Sequence, residues 1–108
     1  LLTDRYKDLM ERLGALRGIF DIDAKRIEVQ NEEEKTLAPG FWDDPITAQE
    51  FMKKLKSKKN WITQFEEGVQ LLGDAEVLLE FYEADEGSEK EVEKQLDKTK
   101  AAIEKFDE

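Results

Sequence analysis

The densest run of chargeable side chains in the sequence is Lys53-Lys54-Leu55-Lys56-Ser57-Lys58-Lys59, which places five cations within seven residues. Ammonium groups gathered this way can hold phosphate oxygens or carboxylates. The surrounding chain is acidic, with 17 Lys and Arg against 27 Asp and Glu and a formal charge of −10. Residues 74–108 alone carry 13 acids and 5 bases, a balance of −8. The molecule is therefore polarised. Either the run touches RNA or an acidic partner, through Lys53, Lys54, Lys56 and Lys59, or it is a solvated helix face. The solvated face is the plainer reading, because Lys-rich helix faces are common and the patch is small.

Other chemistries are limited by what the chain lacks. With no Cys and no His, it has no disulfide, no thiolate or imidazole for zinc, no thiol nucleophile and no His-based triad. A carboxylate-bridged di-iron bundle needs Glu-x-x-His pairs and fails for the same reason. Asp21, Asp23 and Glu32 imitate the first, third and twelfth positions of a calcium loop. Lys25 then stands at the fifth position, and Arg26 at the sixth, where a sharp turn wants glycine. These acids read as solvent-facing residues of a helix. The expectation is a non-enzymatic chain with no catalytic residues, no metal and no cofactor. The net negative charge argues against a general nucleic-acid binder, of DNA included, and against an anionic-membrane binder. Without an apolar run of spanning length or a signal peptide, the expected compartment is the cytoplasm. The chain opens on Leu1 rather than Met, which suggests a trimmed start.

The elements that carry these residues are helical. At 108 residues the chain suits one domain, and 6 Gly and 2 Pro are too few for turn-rich β architecture. Leu2, Tyr6, Leu9, Leu13, Leu16, Phe20 and Ile27 fall in steps of four and three, broken at Asp23-Ala24, and predict a helix from about Thr3 to Lys35. Asp8 with Arg12 and Asp21 with Lys25 are i,i+4 pairs on its exposed faces. Gly14 and Gly18 mark close packing or a bend near Gly18. Ala38-Pro39-Gly40 is turn chemistry, and Asp44-Pro45 reads as an N-cap followed by proline in the first helical position. Phe41 and Trp42 are expected to fold back over one end of the bundle.

A second helix follows, with Ala48, Phe51, Leu55, Ile62, Phe65, Val69 and Leu72 on its seam and Lys58 snorkelling from it. Trp61, beside that seam, reads as a core or lid residue. Gly73-Asp74 reads as a helix end and a fresh cap, starting a short third helix through Ala75, Leu78, Leu79 and Tyr82 to Ala84. After a turn at Asp85-Glu86-Gly87, Ser88 and Glu91 have capping-box spacing. The last helix turns Val92, Leu96, Thr99, Ile103 and Phe106 inward. The prediction is an all-α single domain over 1–108, an antiparallel three- to four-helix bundle with coiled-coil-like packing.

Three stretches carry a resemblance. Leu16-Arg17-Gly18-Ile19-Phe20-Asp21-Ile22-Asp23-Ala24-Lys25-Arg26, then Phe41-Trp42-Asp43-Asp44-Pro45 with Ala48-Gln49, then Leu78 through Glu86 resemble the N-terminal domain of the bacterial class I peptide chain release factors. Their order and spacing fit across nearly the full chain. Asp21-Ile22-Asp23-Ala24-Lys25 after Leu16-Arg17-Gly18, and Trp42 ahead of the Asp44-Pro45 helix start, look like the branch that reads UGA and UAA. The resemblance implies a factor that enters the ribosomal A site at a stop codon and triggers peptidyl-tRNA hydrolysis. That family reads the codon with Ser-Pro-Phe and promotes hydrolysis with Gly-Gly-Gln, and neither tripeptide occurs here; both are expected downstream of Glu108. What remains is implied to be a helical docking module. Its implied partners are the large-subunit stalk base of the ribosome, the release-factor GTPase and the remaining domains of the same factor. The rival reading is a free-standing acidic coiled-coil adaptor that self-associates.

Overall fold

In the computed structural model, which describes residues 1–106, one long helix organises everything else. The helices are α1 (Leu2–Ile19), α2 (Ile22–Thr36), α3 (Pro45–Glu83) and α4 (Glu89–Phe106), with a short 3-10 turn at Phe41–Asp43 before α3. At 1.5 Å per residue, the 39 residues of α3 run about 58 Å, close to the 62 Å long axis of the molecule. The other three helices lie along it. α1 and α2 run end to end, both antiparallel to α3, and α4 folds back from the end of α3 and runs parallel to α1. None of these helices is long and apolar enough to cross a membrane.

The predicted break at Gly73-Asp74 does not occur. Leu72, Ala75 and Leu79 are all buried, the last two in one cluster with Val92 and Leu96 of α4. That packing outweighs the roughly 1 kcal/mol that glycine costs a helix interior. Asp74 Oδ1 accepts from Gln70 Nε2 at 3.0 Å instead of capping a new helix. The break falls in the first rod, where one helix was predicted. Asp21 takes a left-handed conformation, φ 52° and ψ 49°, which a non-glycine residue adopts only at a cost. Two contacts brace the joint: Lys25 Nζ donates to the Phe20 carbonyl, and Arg17 Nη2 meets Asp23 Oδ1 at 2.9 Å.

The joint resets the register. Ile22 and Val29 become buried, whereas Ile27, placed on the seam by the uninterrupted spacing, is 61% exposed. Phe20 turns inward at the break and stacks on Trp61, centroids 4.8 Å apart, while Phe106 meets both rings edge-on. This aromatic plug closes one end of the main core, which holds Leu13, Leu16, Ile22, Phe65, Leu72 and Ile103.

Gly68, not Val69, faces that core. A Cβ on Gly68 would stand 3.3 Å from Leu13 Cδ1 and 3.8 Å from Ile103 Cγ1, so the missing side chain lets α1 and α4 approach α3 together. Val69 turns outward. In α4 the buried set is Val92, Leu96, Thr99, Ile103 and Phe106, as the spacing predicts. Thr99 Oγ1 donates to the Gln95 carbonyl at 2.7 Å, which satisfies its buried hydroxyl.

The turns follow their local chemistry. Phe41 N–H donates to the Ala38 carbonyl across Pro39-Gly40, with Gly40 at φ 83°, the geometry of a type II turn. Asp44 caps α3 by accepting from Thr47 N–H and the Thr47 hydroxyl. At the far end of α3, Asp85 is left-handed at φ 59°. Asp85 N–H donates to the Tyr82 carbonyl and Glu86 N–H to the Phe81 carbonyl, a Schellman closure without its usual glycine. Ser88 Oγ accepts from Glu91 N–H at 3.4 Å to open α4.

Candidate functional site

The lysine run lies on the first half of α3, where α2 is the neighbour. Contacts of α1 and α4 with α3 lie from Trp61 onward: Phe20 and Phe106 on Trp61, Leu13 and Ile103 beside Gly68, Tyr6 on Glu76 and Gln95 on the Leu71 carbonyl. Contacts of α2 run the other way, from Arg26 on Glu66 to Lys59 on Glu33. The half of α3 before Trp61 is thus one wall of a two-helix arm.

Within the run, the lysines divide by helical position. Lys58 faces α2, and its Nζ lies 2.8 Å from Glu32 Oε2 and 3.3 Å from Glu28 Oε2. The Glu32 hydrogen bond, aided by Glu28 and opposed by partial desolvation, raises the Lys58 pKa above 10.5. Instead of snorkelling to water, its ammonium pins the arm. Lys59 Nζ also reaches α2, 3.1 Å from Glu33 Oε2. Lys53, Lys54 and Lys56 are exposed, and among the described residues no carboxylate pairs with them. Of the four sequence-predicted contact residues, these three present uncommitted charge and Lys59 is shared with α2.

Lys53, Lys56 and Lys59 lie along one flank of the α2–α3 seam, while Lys54 sits on the other side of α3. That flank is a groove of about 480 Å³ whose apolar floor is Met52 and Leu55 and whose α2 wall is Glu33 and Thr36. Met52 is half-buried and Leu55 buried. Sequence reasoning missed Met52, Glu33 and Thr36. Only the alignment of α2 against α3 brings them together, and the register shift at Asp21 decides that alignment.

The aromatic pair before α3 only partly matches the expected lid. Phe41 packs edge-on against Phe51, centroids 5.4 Å apart, and covers the tip of the arm. Trp42 contacts Phe41 but stays 56% exposed, because the tip has no third helix for its ring to close against. The calcium-like acids are spent on the fold: Asp21 forms the joint, Asp23 pairs with Arg17, and Glu32 holds Lys58.

This arrangement, a helical body carrying a cation-rimmed apolar groove, is suited to binding. Similarity to known proteins gives it a family. A protein of Salinispora tropica is 34% identical over 107 residues, 97% of this chain, and is named peptide chain release factor 2. By sequence, the chain is a relative of bacterial peptide chain release factor 2. Proteins of the same name from Shewanella baltica and Xanthomonas euvesicatoria are 35% and 31% identical over 86% and 98% of the chain. No family model matches the chain. The chain spans 26–29% of the length of these three release factors.

Proposed function

We propose that the chain is the N-terminal helical-bundle domain of a release factor 2, acting in translation termination at UGA and UAA codons in the cytoplasm. The supporting observation is sequence similarity along nearly the whole chain to proteins of that name. In this reading the fragment docks and positions. Codon reading and peptidyl-tRNA hydrolysis belong to other parts of the full factor, and its partners are the stalk base of the large ribosomal subunit, the release-factor GTPase and those other parts. The self-associating adaptor finds no support among the relatives.

The lysine segment is the proposed contact. Few direct ionic contacts make such docking weak and sensitive to salt. The test is stopped-flow association of the full-length factor with ribosomes programmed with UGA. Changing Lys53, Lys54, Lys56 and Lys59 to Glu should slow association several-fold at low salt while helicity and melting stay nearly constant. Because Lys59→Glu also faces Glu33, the triple variant that spares Lys59 isolates docking from the α2–α3 contact. A wild-type association rate in the triple variant removes the lysine contact.

A further inference from the structure

The groove on the arm combines three features. Its floor, Met52 and Leu55, is apolar. Its α3 rim carries Lys53 and Lys56 with no carboxylate partner, and Lys59 beyond them. Its opposite wall, on α2, is polar, made by Thr36 and by Glu33, which pairs with Lys59. We infer that this groove receives an acidic amphipathic helix of a partner protein, which seats an apolar side chain over Met52 and Leu55 and sets flanking carboxylates against Lys53 and Lys56.

Charge and shape together select this occupant over a nucleic acid. A phosphate backbone gains from cations alone and finds nothing on an apolar floor. A helix with one apolar face and a single acidic edge satisfies both surfaces, because its acidic edge can lie on the lysine rim and away from Glu33. The dimensions agree. Met52 to Asn60 spans about 12 Å of α3, or roughly two helical turns, which admits anchors at i and i+4 or i and i+7. Screening within about 8–10 Å at physiological salt lets the local cations act despite the acidity of the whole.

The inference rests on the docking reading for its premise that the lysine segment meets a macromolecule, and it adds what kind. The probe is a fluorescein-labelled 18-residue helical peptide of Glu and Ala with Leu at i, i+4 and i+7, titrated against the full chain by anisotropy. A version with each Leu changed to Ala and a single-stranded RNA of similar charge are run beside it. The Leu peptide should bind, the Ala version should bind about tenfold more weakly, and Lys56→Glu or Lys53→Glu should each weaken the Leu peptide by about fivefold to tenfold. Met52 and Leu55 methyl resonances should shift with the Leu peptide only. Met52→Asp should abolish binding; since Met52 is half-buried, the two surface lysine variants keep the test decisive if that variant unfolds. RNA binding more tightly than the Leu peptide, or Leu-peptide affinity indifferent to both lysine changes, overturns the inference. Either result leaves ribosome docking standing, since that reading is judged separately by the association rate of the full-length factor.

Discussion

The two halves of α3 are held by different physics. From Trp61 to Glu83, α1 and α4 grip the helix through a dry core, an aromatic plug and a close approach at Gly68. From Pro45 to Asn60, α2 is the one long helix that faces it, with Phe41 of the 3-10 turn on Phe51 at the tip. Buried contacts there are few, Val29, Ala48 and Leu55, and Lys58 and Lys59 tie the helices together with ion pairs to Glu28, Glu32 and Glu33. Apolar burial supplies most of the folding free energy, whereas exposed ion pairs contribute little and mainly fix register. The three-helix half is therefore the folding unit, and the arm is a surface held in place by it.

Phe106→Ala should separate the halves most sharply. It empties the plug between Phe20, Trp61 and Phe65 and should cost about 3–4 kcal/mol, seen as a lower chemical-denaturation midpoint with a changed Trp61 emission. A comparable loss from emptying the arm instead, by Leu55→Ala, would break the comparison. Gly87→Ala comes next. A Cβ there would lie 2.9 Å from the Tyr82 backbone nitrogen and 3.1 Å from Phe81, so the α3–α4 turn must shift at a cost of about 1–3 kcal/mol, measured the same way.

Lys58→Met should act on the arm alone. It leaves Glu28 and Glu32 facing each other without a cation, so amide exchange over residues 29–36 should quicken several-fold while melting of the whole chain barely moves. Equal acceleration in α4 would show that the halves do not open separately.

The smallest effects should come with pH. Asp44, its pKa held below 3.8 first by the Thr47 hydroxyl and then by backbone N–H groups, caps α3 fully above that value and loses the cap as pH falls through its lowered folded value. Acid should thus fray the arm's tip before the core. At the alkaline side, the Tyr6 hydroxyl donates to Glu76 Oε2 at 2.6 Å, and that bond, then burial and the charges of Glu76 and Glu80, pushes its pKa up to about 12. Its contribution is complete below pH 10 and is lost as pH rises toward 12, which phenolate absorbance follows. The Lys58 pins are likewise complete below pH 10.5 and lost above it.

Much of this was legible in the residues. Spacing gave the helical class and the inward face of α4, and turn chemistry gave the Pro39-Gly40 turn and the Asp44 cap, because these depend on near neighbours in sequence. The division of the rods is set by distant packing instead. Gly73 looks like an end, yet packing against α4 carries the helix through it. Phe20-Asp21 looks like helix, yet the pull of Phe20 into the plug, together with Lys25 and Arg17, favours a left-handed residue. Ile27 leaves the seam through the register reset at Asp21, and Val69 because Gly68 takes the core-facing position. The lysine run was legible as charge, but its division into pins and free cations, and the groove beside it, depended on how α2 lies against α3.

A continuous rod has a further effect that a kinked one would not. With α3 unbroken, Glu83 lies about 40 Å beyond Lys56 along the helix, so a tilt of about 5° imposed at Lys56 moves that end by about 3.5 Å. A push on the slender tip would thus be carried to the heavy end along one unbroken lever, as by a tiller.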